Sequence, residues 1–168
     1  YADPSLVDID GDADLDAFVS NSDGNILFFR NTGTISAPVF ASALMNPFGL
    51  SDAGGVFASI TLVDTDDDGD QDAFVGNVDG DTLYFKNTGT VNSPIFATAA
   101  FNPFGLNDVE SNASPAFADI DSDGDLDAFI GGRLGNMLFF MNDYSAVFLL
   151  GTAGHDVLTG ATSIHDTV

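Results

Sequence analysis

The residues with the clearest chemical potential are carboxylates set at every second position in three runs. Asp8, Asp10, Asp12, Asp14 and Asp16 make the first; Asp64, Asp66, Asp68, Asp70 and Asp72 the second; Asp119, Asp121, Asp123, Asp125 and Asp127 the third. Five like charges within nine residues repel, and a folded loop tolerates them only with a cation inside. All-oxygen donors, with no His or Cys in the runs, select calcium over zinc or copper. Mg²⁺ is disfavoured because it keeps several waters rather than entering an all-protein cage. The expectation is therefore about three Ca²⁺ ions per chain, one per loop.

The pattern overlaps the first half of an EF-hand loop, which requires a Glu at position 12 and flanking helices. Position 12 here is Val19, Val75 or Ile130, each in strand-forming sequence. The EF-hand reading fails on both counts, and position 9 is left to supply the closing carboxylate.

Composition agrees. The 168 residues carry 26 acidic and three basic side chains, a net charge of −23, and Glu110 is the one Glu among the acids. A merely solvating acidic surface would mix Glu with Asp, so near-exclusive Asp points to a demand for a short carboxylate in turns or metal loops. With Arg30, Lys86 and Arg133 the whole basic complement, no stripe exists to meet nucleic acid or an anionic membrane. Absence of Cys removes disulfides, thiolate metal sites and cysteine nucleophiles. No apolar run approaches the roughly 18–20 residues of a membrane span. No signal peptide opens the chain, and its start at Tyr1, inside a repeat, suggests a processed or excised piece of something longer.

The elements that must hold these loops come in repeats. The first Asp of each run recurs after 56 and then 55 residues. Asn-Pro-Phe-Gly-Leu occurs at Asn46 to Leu50 and at Asn102 to Leu106. An aromatic run recurs as Ile26 to Asn31, Thr82 to Asn87 and Met137 to Asn142. Each unit reads as four short strands: one ending at the Asp run, one following it, the aromatic run, and a fourth at Pro38–Phe40, Pro94–Phe96 and Ala146–Phe148. No window sustains a helical apolar period, so the chain is all-β. Ile26, Leu27, Phe28 and Phe29 are consecutive, so both faces of that strand need cover, as in a β-propeller blade flanked by neighbours.

The three units resemble the FG-GAP or VCBS repeats of calcium-binding β-propellers, as in integrin α-subunit heads and many secreted bacterial proteins. The resemblance spans 1–150 as three four-stranded antiparallel blades, about 4–59, 60–114 and 115–150. It implies that positions 1, 3, 5 and 9 of each Asp run ligate calcium through side chains and position 7 through its backbone carbonyl. Position 6 departs from the pattern in the first loop, where Ala13 stands in place of the Gly found at Gly69 and Gly124. A strained or weaker first site is expected there.

Other residues invite plainer readings. Asp23, Asp79 and Asp81 sit at hairpin turns; Phe18, Phe74, Phe129, Phe29, Phe85 and Phe140 read as inter-blade core; Asn31, Asn87 and Asn142 read as turn-closing. His155 and His165 lack partners for catalysis, and no catalytic constellation emerges. The tail, 151–168, resembles an RTX nonapeptide stretch through Gly151, Gly154, Asp156, Leu158 and Gly160. Such stretches imply calcium, type I secretion and an extracellular or cell-surface, bacterial setting.

Three blades cannot close a ring that typically needs about four to eight. Further blades or self-association, as a homo-oligomer or filament, would complete it. The functional expectation is a calcium-stabilised extracellular structural or adhesive protein, not an enzyme. A glycan-binding propeller is the alternative, weakened by the absence of Trp, and a hydrolase or lyase on the same scaffold ranks last.

Overall fold

A computed structural model of the chain describes residues 2–54 and 57–142. The expected fourth strand at Ala146–Phe148 and the RTX-like tail lie outside the described residues, as do the two His.

The described chain folds into three antiparallel sheets with two short 3-10 turns at Pro47–Gly49 and Pro103–Gly105. The first sheet is β1 (Ala2–Val7), β2 (Asp16–Asn21), β3 (Ile26–Phe29) and β4 (Leu44–Met45), paired in that order. The second repeats it as β5 (Ser59–Val63), β6 (Asp72–Gly76), β7 (Thr82–Phe85) and β8 (Ala100–Phe101). The third contains β9 (Ser114–Ala118), β10 (Asp127–Gly131) and β11 (Met137–Phe140). Registers are equivalent: Ala17 faces Phe29, Ala73 faces Phe85 and Ala128 faces Phe140 across the second and third strands. No closed ring is present among the described residues.

The fourth strand departs from expectation. The segment around Pro38–Phe40 does return along the aromatic strand, but only through isolated bridges, Asn31 to Phe40 and Thr34 to Ala37. Regular pairing resumes at Leu44 and Met45, opposite Phe28 and Leu27, with the register moved by one residue. The same shift recurs between the Asn87–Phe96 bridge and the Tyr84–Ala100 pair. Pro38 and Pro94 have no N–H to give a ladder. The Asn31 side chain takes over instead, its Oδ1 accepting from the N–H of Gly33 at 3.0 Å and Val39 at 2.9 Å. Asn87 repeats this with Gly89 and Ile95, which makes both residues the turn-closing groups the sequence suggested.

The sheets stack by repeating one face-to-face contact. Phe18, Ile26 and Phe28 of the first sheet pack against Ala73, Val75, Leu83 and Phe85 of the second. The second sheet turns Phe74 and Tyr84 toward Ala128, Ile130 and Phe140 of the third. Each sheet thus has a Phe face and an Ala/Val face, and the Phe face of one meets the Ala/Val face of the next. Burying each Phe adds about 1.5–3 kcal/mol. The two faces left unmatched among the described residues are only half-buried: Val19, Leu27 and Phe29 on one, Phe129 and Phe139 on the other.

Two devices fix the spacing. Along the first strands, the equivalent residues Asp3, Ser59 and Ser114 form a hydrogen-bonded row, Ser59 Oγ lying 2.6 Å from Asp3 Oδ2 and 3.2 Å from Ser114 Oγ. At the other side, the Asn-Pro-Phe-Gly-Leu turn caps its own sheet and grips the next. Asn46 Oδ1 accepts from the Ile26 N–H, while the Phe48 carbonyl accepts from the Phe96 N–H, both at 2.8 Å. A Cβ on Gly49, at φ +99°, would lie 2.5 Å from the Phe96 carbonyl oxygen, so only glycine fits.

Candidate metal centres

Each Asp run connects the first strand of its sheet to the second, with position 9 (Asp16, Asp72 or Asp127) as the first residue of that second strand. The loop must turn within eight residues, and it does so by placing positions 4 and 6 in the left-handed region. In the first loop these are Gly11 (φ 70°) and Ala13 (φ 72°); in the second, Asp67 (57°) and Gly69 (88°); in the third, Ser122 (65°) and Gly124 (103°). Each loop therefore has one glycine and one residue forced to positive φ. The expected strain at Ala13 is present, but the first loop recovers part of it at position 4, where the others carry Asp or Ser. Ala remains the worst fit, since Asp tolerates this conformation better.

The position of that glycine has a cause outside the loop. Asn92, at the hairpin tip of the second repeat, donates from Nδ2 to the Asp10 carbonyl at 2.7 Å. A Cβ on Gly11 would lie 2.3 Å from Nδ2.

Position 1 organises each loop by receiving its backbone N–H groups. Asp8 accepts from Gly11 at 2.8 Å and Ala13 at 2.9 Å; Asp64 accepts from Gly69 at 3.0 Å; Asp119 accepts from Asp123 and Gly124, each at 3.2 Å. Position 5 closes the far side, with Asp12, Asp68 and Asp123 accepting from Asp14, Asp70 and Asp125 at 2.9–3.0 Å. The result is convergence of positions 1, 3 and 5. Carboxylate oxygens of Asp8, Asp10 and Asp12, of Asp64, Asp66 and Asp68, and of Asp119, Asp121 and Asp123 lie within 4.8 Å of one another. These three clusters can hold a metal ion.

Positions 7 and 9 stand outside these triads. The N–H groups of Asp14, Asp70 and Asp125 are engaged with position 5, as above. Position 9 is shared with the fold: Oδ1 of Asp16, Asp72 and Asp127 accepts from the N–H of Asn31, Asn87 and Asn142 at 2.6–2.7 Å. The second oxygen differs. Asp16 is fully buried and its Oδ2 has no hydrogen-bond partner. Asp72 Oδ2 takes hydroxyls from Thr65 and Tyr84, and Asp127 Oδ2 takes the Ile120 N–H at 3.1 Å.

A hard cation fits this donor set. Oδ1 of Asp10 and of Asp64, like Asp16 Oδ2, is buried without a hydrogen-bond partner, a costly condition for a carboxylate unless a cation completes it. Loss of hydration raises the pKa of Asp10, Asp16, Asp70 and Asp72 above the ordinary value, and that of the exposed Asp121 with them. Neighbouring carboxylates add to the rise in each case. For Asp10 the Arg30 guanidinium works against it. Burial likewise lifts the Tyr84 phenol above its usual range.

The hairpin residues Asp23, Asp79 and Asp81 are not part of these clusters. Gly24 and Gly80 take positive φ as turn glycines, and Asp81 Oδ1 accepts from Asn102 Nδ2 at 2.7 Å. The carboxylates are legible in the sequence; the contact of Asn92 and the left-handed position 4 are not. The variable residue at position 4 hid the second.

The chain matches no protein-family model, and no curated protein matches it.

Proposed function

We propose that this chain is a calcium-stabilised structural or adhesive element of an extracellular assembly, built from FG-GAP/VCBS-like blades. The observation that carries the proposal is the convergence of positions 1, 3 and 5 in all three loops, at the same junction of each sheet. Repetition without specialisation suits a mechanical role, because a catalytic metal site needs an open coordination position and a nearby acid, base or nucleophile. Calcium, once bound, supplies charge neutralisation and a cross-link. Asp8, Asp64 and Asp119 hold the loop backbone in place, Asp10, Asp66 and Asp121 with Asp12, Asp68 and Asp123 line the ion position, and Asp16, Asp72 and Asp127 tie the loop to the aromatic strand. Circular dichroism melts in calcium and in chelator test this: a higher Tm in calcium is expected, and an unchanged Tm overturns it.

The assembly half of the reading rests on the two unmatched faces, which repeat the positions already mated inside the chain. Another copy, or further blades of a longer polypeptide, would cover them. Sedimentation and electron microscopy in calcium should reveal oligomers or filaments, and a monodisperse monomer at high concentration overturns that half. The RTX-like tail favours an extracellular bacterial setting, where calcium is abundant.

A glycan-binding role has one supporting observation. A cleft of about 440 Å³ between the first two repeats is lined by Asp10, Arg30, Asn92, Phe28 and Phe48 among others, a mixture of polar and aromatic groups that suits a sugar. A glycan array decides it, and no binding above background removes this reading.

A further inference from the structure

Two of the chain's three basic residues occupy the same place in successive repeats. Arg30 follows β3 and Lys86 follows β7, each one residue beyond the Phe that faces the equivalent Ala in the shared register. Both reach the Asp run of their own sheet and pair with its position 3. The Arg30 guanidinium contacts Asp10 Oδ2 and lies 3.8 Å from Asp12 Oδ2; Lys86 Nζ contacts Asp66 Oδ2. The third repeat has Met141 at this position, and among the described residues Asp121 pairs with no side-chain cation.

We propose that Arg30 and Lys86 are tethered counter-ions that occupy the mouth of the first two metal loops, so that metal enters those loops by displacing a side-chain cation while the third loop fills directly. This rests on the metal-binding reading above and adds an order of filling to it. In the first loop a further observation points to a cation: Asp16 is fully buried with an unpartnered Oδ2, and Arg30 pairs with Asp10 and Asp12 rather than with it. Arg30 and Lys86 side chains remain 55% and 44% exposed. Each can therefore swing into solvent without unpacking the core. The exchange releases one monovalent charge per divalent ion bound, so added monovalent salt weakens the competing ion pair. The device keeps the first two loops folded when metal is scarce and makes the third the sensor of low metal concentration.

The test is a Ca²⁺ titration of the metal-free full chain followed by amide NMR. Gly69 and Gly124 serve as reporters because their N–H groups bond to Asp64 and Asp119. In the wild type Gly124 should respond at lower Ca²⁺ than Gly69. Lys86→Gln should shift the Gly69 midpoint two- to fivefold, about the value of an exposed ion pair, toward tighter binding. It should also lower the metal-free Tm by about 2–4 °C. Met141→Lys, which leaves the native ion pairs untouched, should move the Gly124 midpoint by a similar factor toward weaker binding. Midpoints unmoved in both variants, with calcium still binding, overturn this inference alone. If no amide responds to calcium in the wild type, the calcium reading falls with it.

Discussion

The first and second repeats share nearly the same residues and do not share the same surroundings. Asp-Ala-Phe-Val stands at 16–19 and again at 72–75. In β2 these positions alternate between buried and half-buried, whereas in β6 every residue is buried. The difference comes from the neighbours: among the described residues the second sheet has a partner on each face and the first has one. Burial in this molecule is a property of the stack, and the consecutive apolar residues of β3 and β7 record a demand that the middle sheet meets more nearly than the first, with Tyr84 alone half-buried in β7.

The unequal burial of the two repeats should show most strongly at equivalent leucines. Leu83 is 2% exposed, and Leu83→Ala should cost about 2–5 kcal/mol. Leu27, half-buried on the unmatched face, should cost about 1 kcal/mol as Leu27→Ala. Urea titrations at two protein concentrations give both numbers. Should Leu27→Ala cost as much as Leu83→Ala, and more at high concentration, the open face is covered by another copy in solution.

A second contrast lies at position 9. Tyr84 donates to Asp72 at 2.9 Å, and its equivalent in the first repeat is Phe28. Tyr84→Phe makes the second repeat resemble the first, leaves Asp72 with one hydroxyl fewer, and should destabilise the metal-free chain by about 1–2 kcal/mol in thermal melts. The third contrast is backbone strain. Ala13→Gly should stabilise by about 0.5–1 kcal/mol, and Gly69→Ala should cost about the same, since no atom lies within 4 Å of a Cβ added at Gly69 and strain alone is at work.

The smallest effect is the one spread over pH. The raised carboxylates, Asp10 and Asp16 in the first loop and Asp70 and Asp72 in the second, bind protons more readily folded than unfolded. Their contribution to stability is full below the ordinary value of 3.8 and is lost as pH rises through the elevated folded values. Metal-free protein should therefore melt higher on mild acidification from pH 7. Calcium-loaded protein should show the opposite slope, because protons then compete with the ion. Parallel slopes with and without calcium would contradict the assignment of these groups to the ion sites.

Much of this was legible in the residues. The strand after each Asp run and the aromatic strand fell where the repeats put them, because alternation and turn glycines are local signals. The fourth strand lies away from its expected place because its paired residues, Leu44 and Met45, carry no turn or β-branched signal, whereas Pro38 and Phe40 next to the hairpin carry a stronger one. The convergence of positions 1, 3 and 5 was legible because those carboxylates recur at every second residue of each run. Asn92 was not, since its partner Asp10 lies 82 positions away and only the packing of two repeats brings them together. The role of Arg30 and Lys86 was equally hidden: a lone base after an aromatic strand has no meaning until the register shows which loop it reaches.

The alternation of a Phe face with an Ala/Val face has an evolutionary corollary. Because every junction uses the same two surfaces, a tandem duplication of one unit of about 55 residues arrives with its mating surfaces already made, and loss of a unit leaves flanking surfaces that still fit. Repeat number is then free to drift without any junction having to be reinvented, and selection on length can act on the gene before it acts on a single side chain.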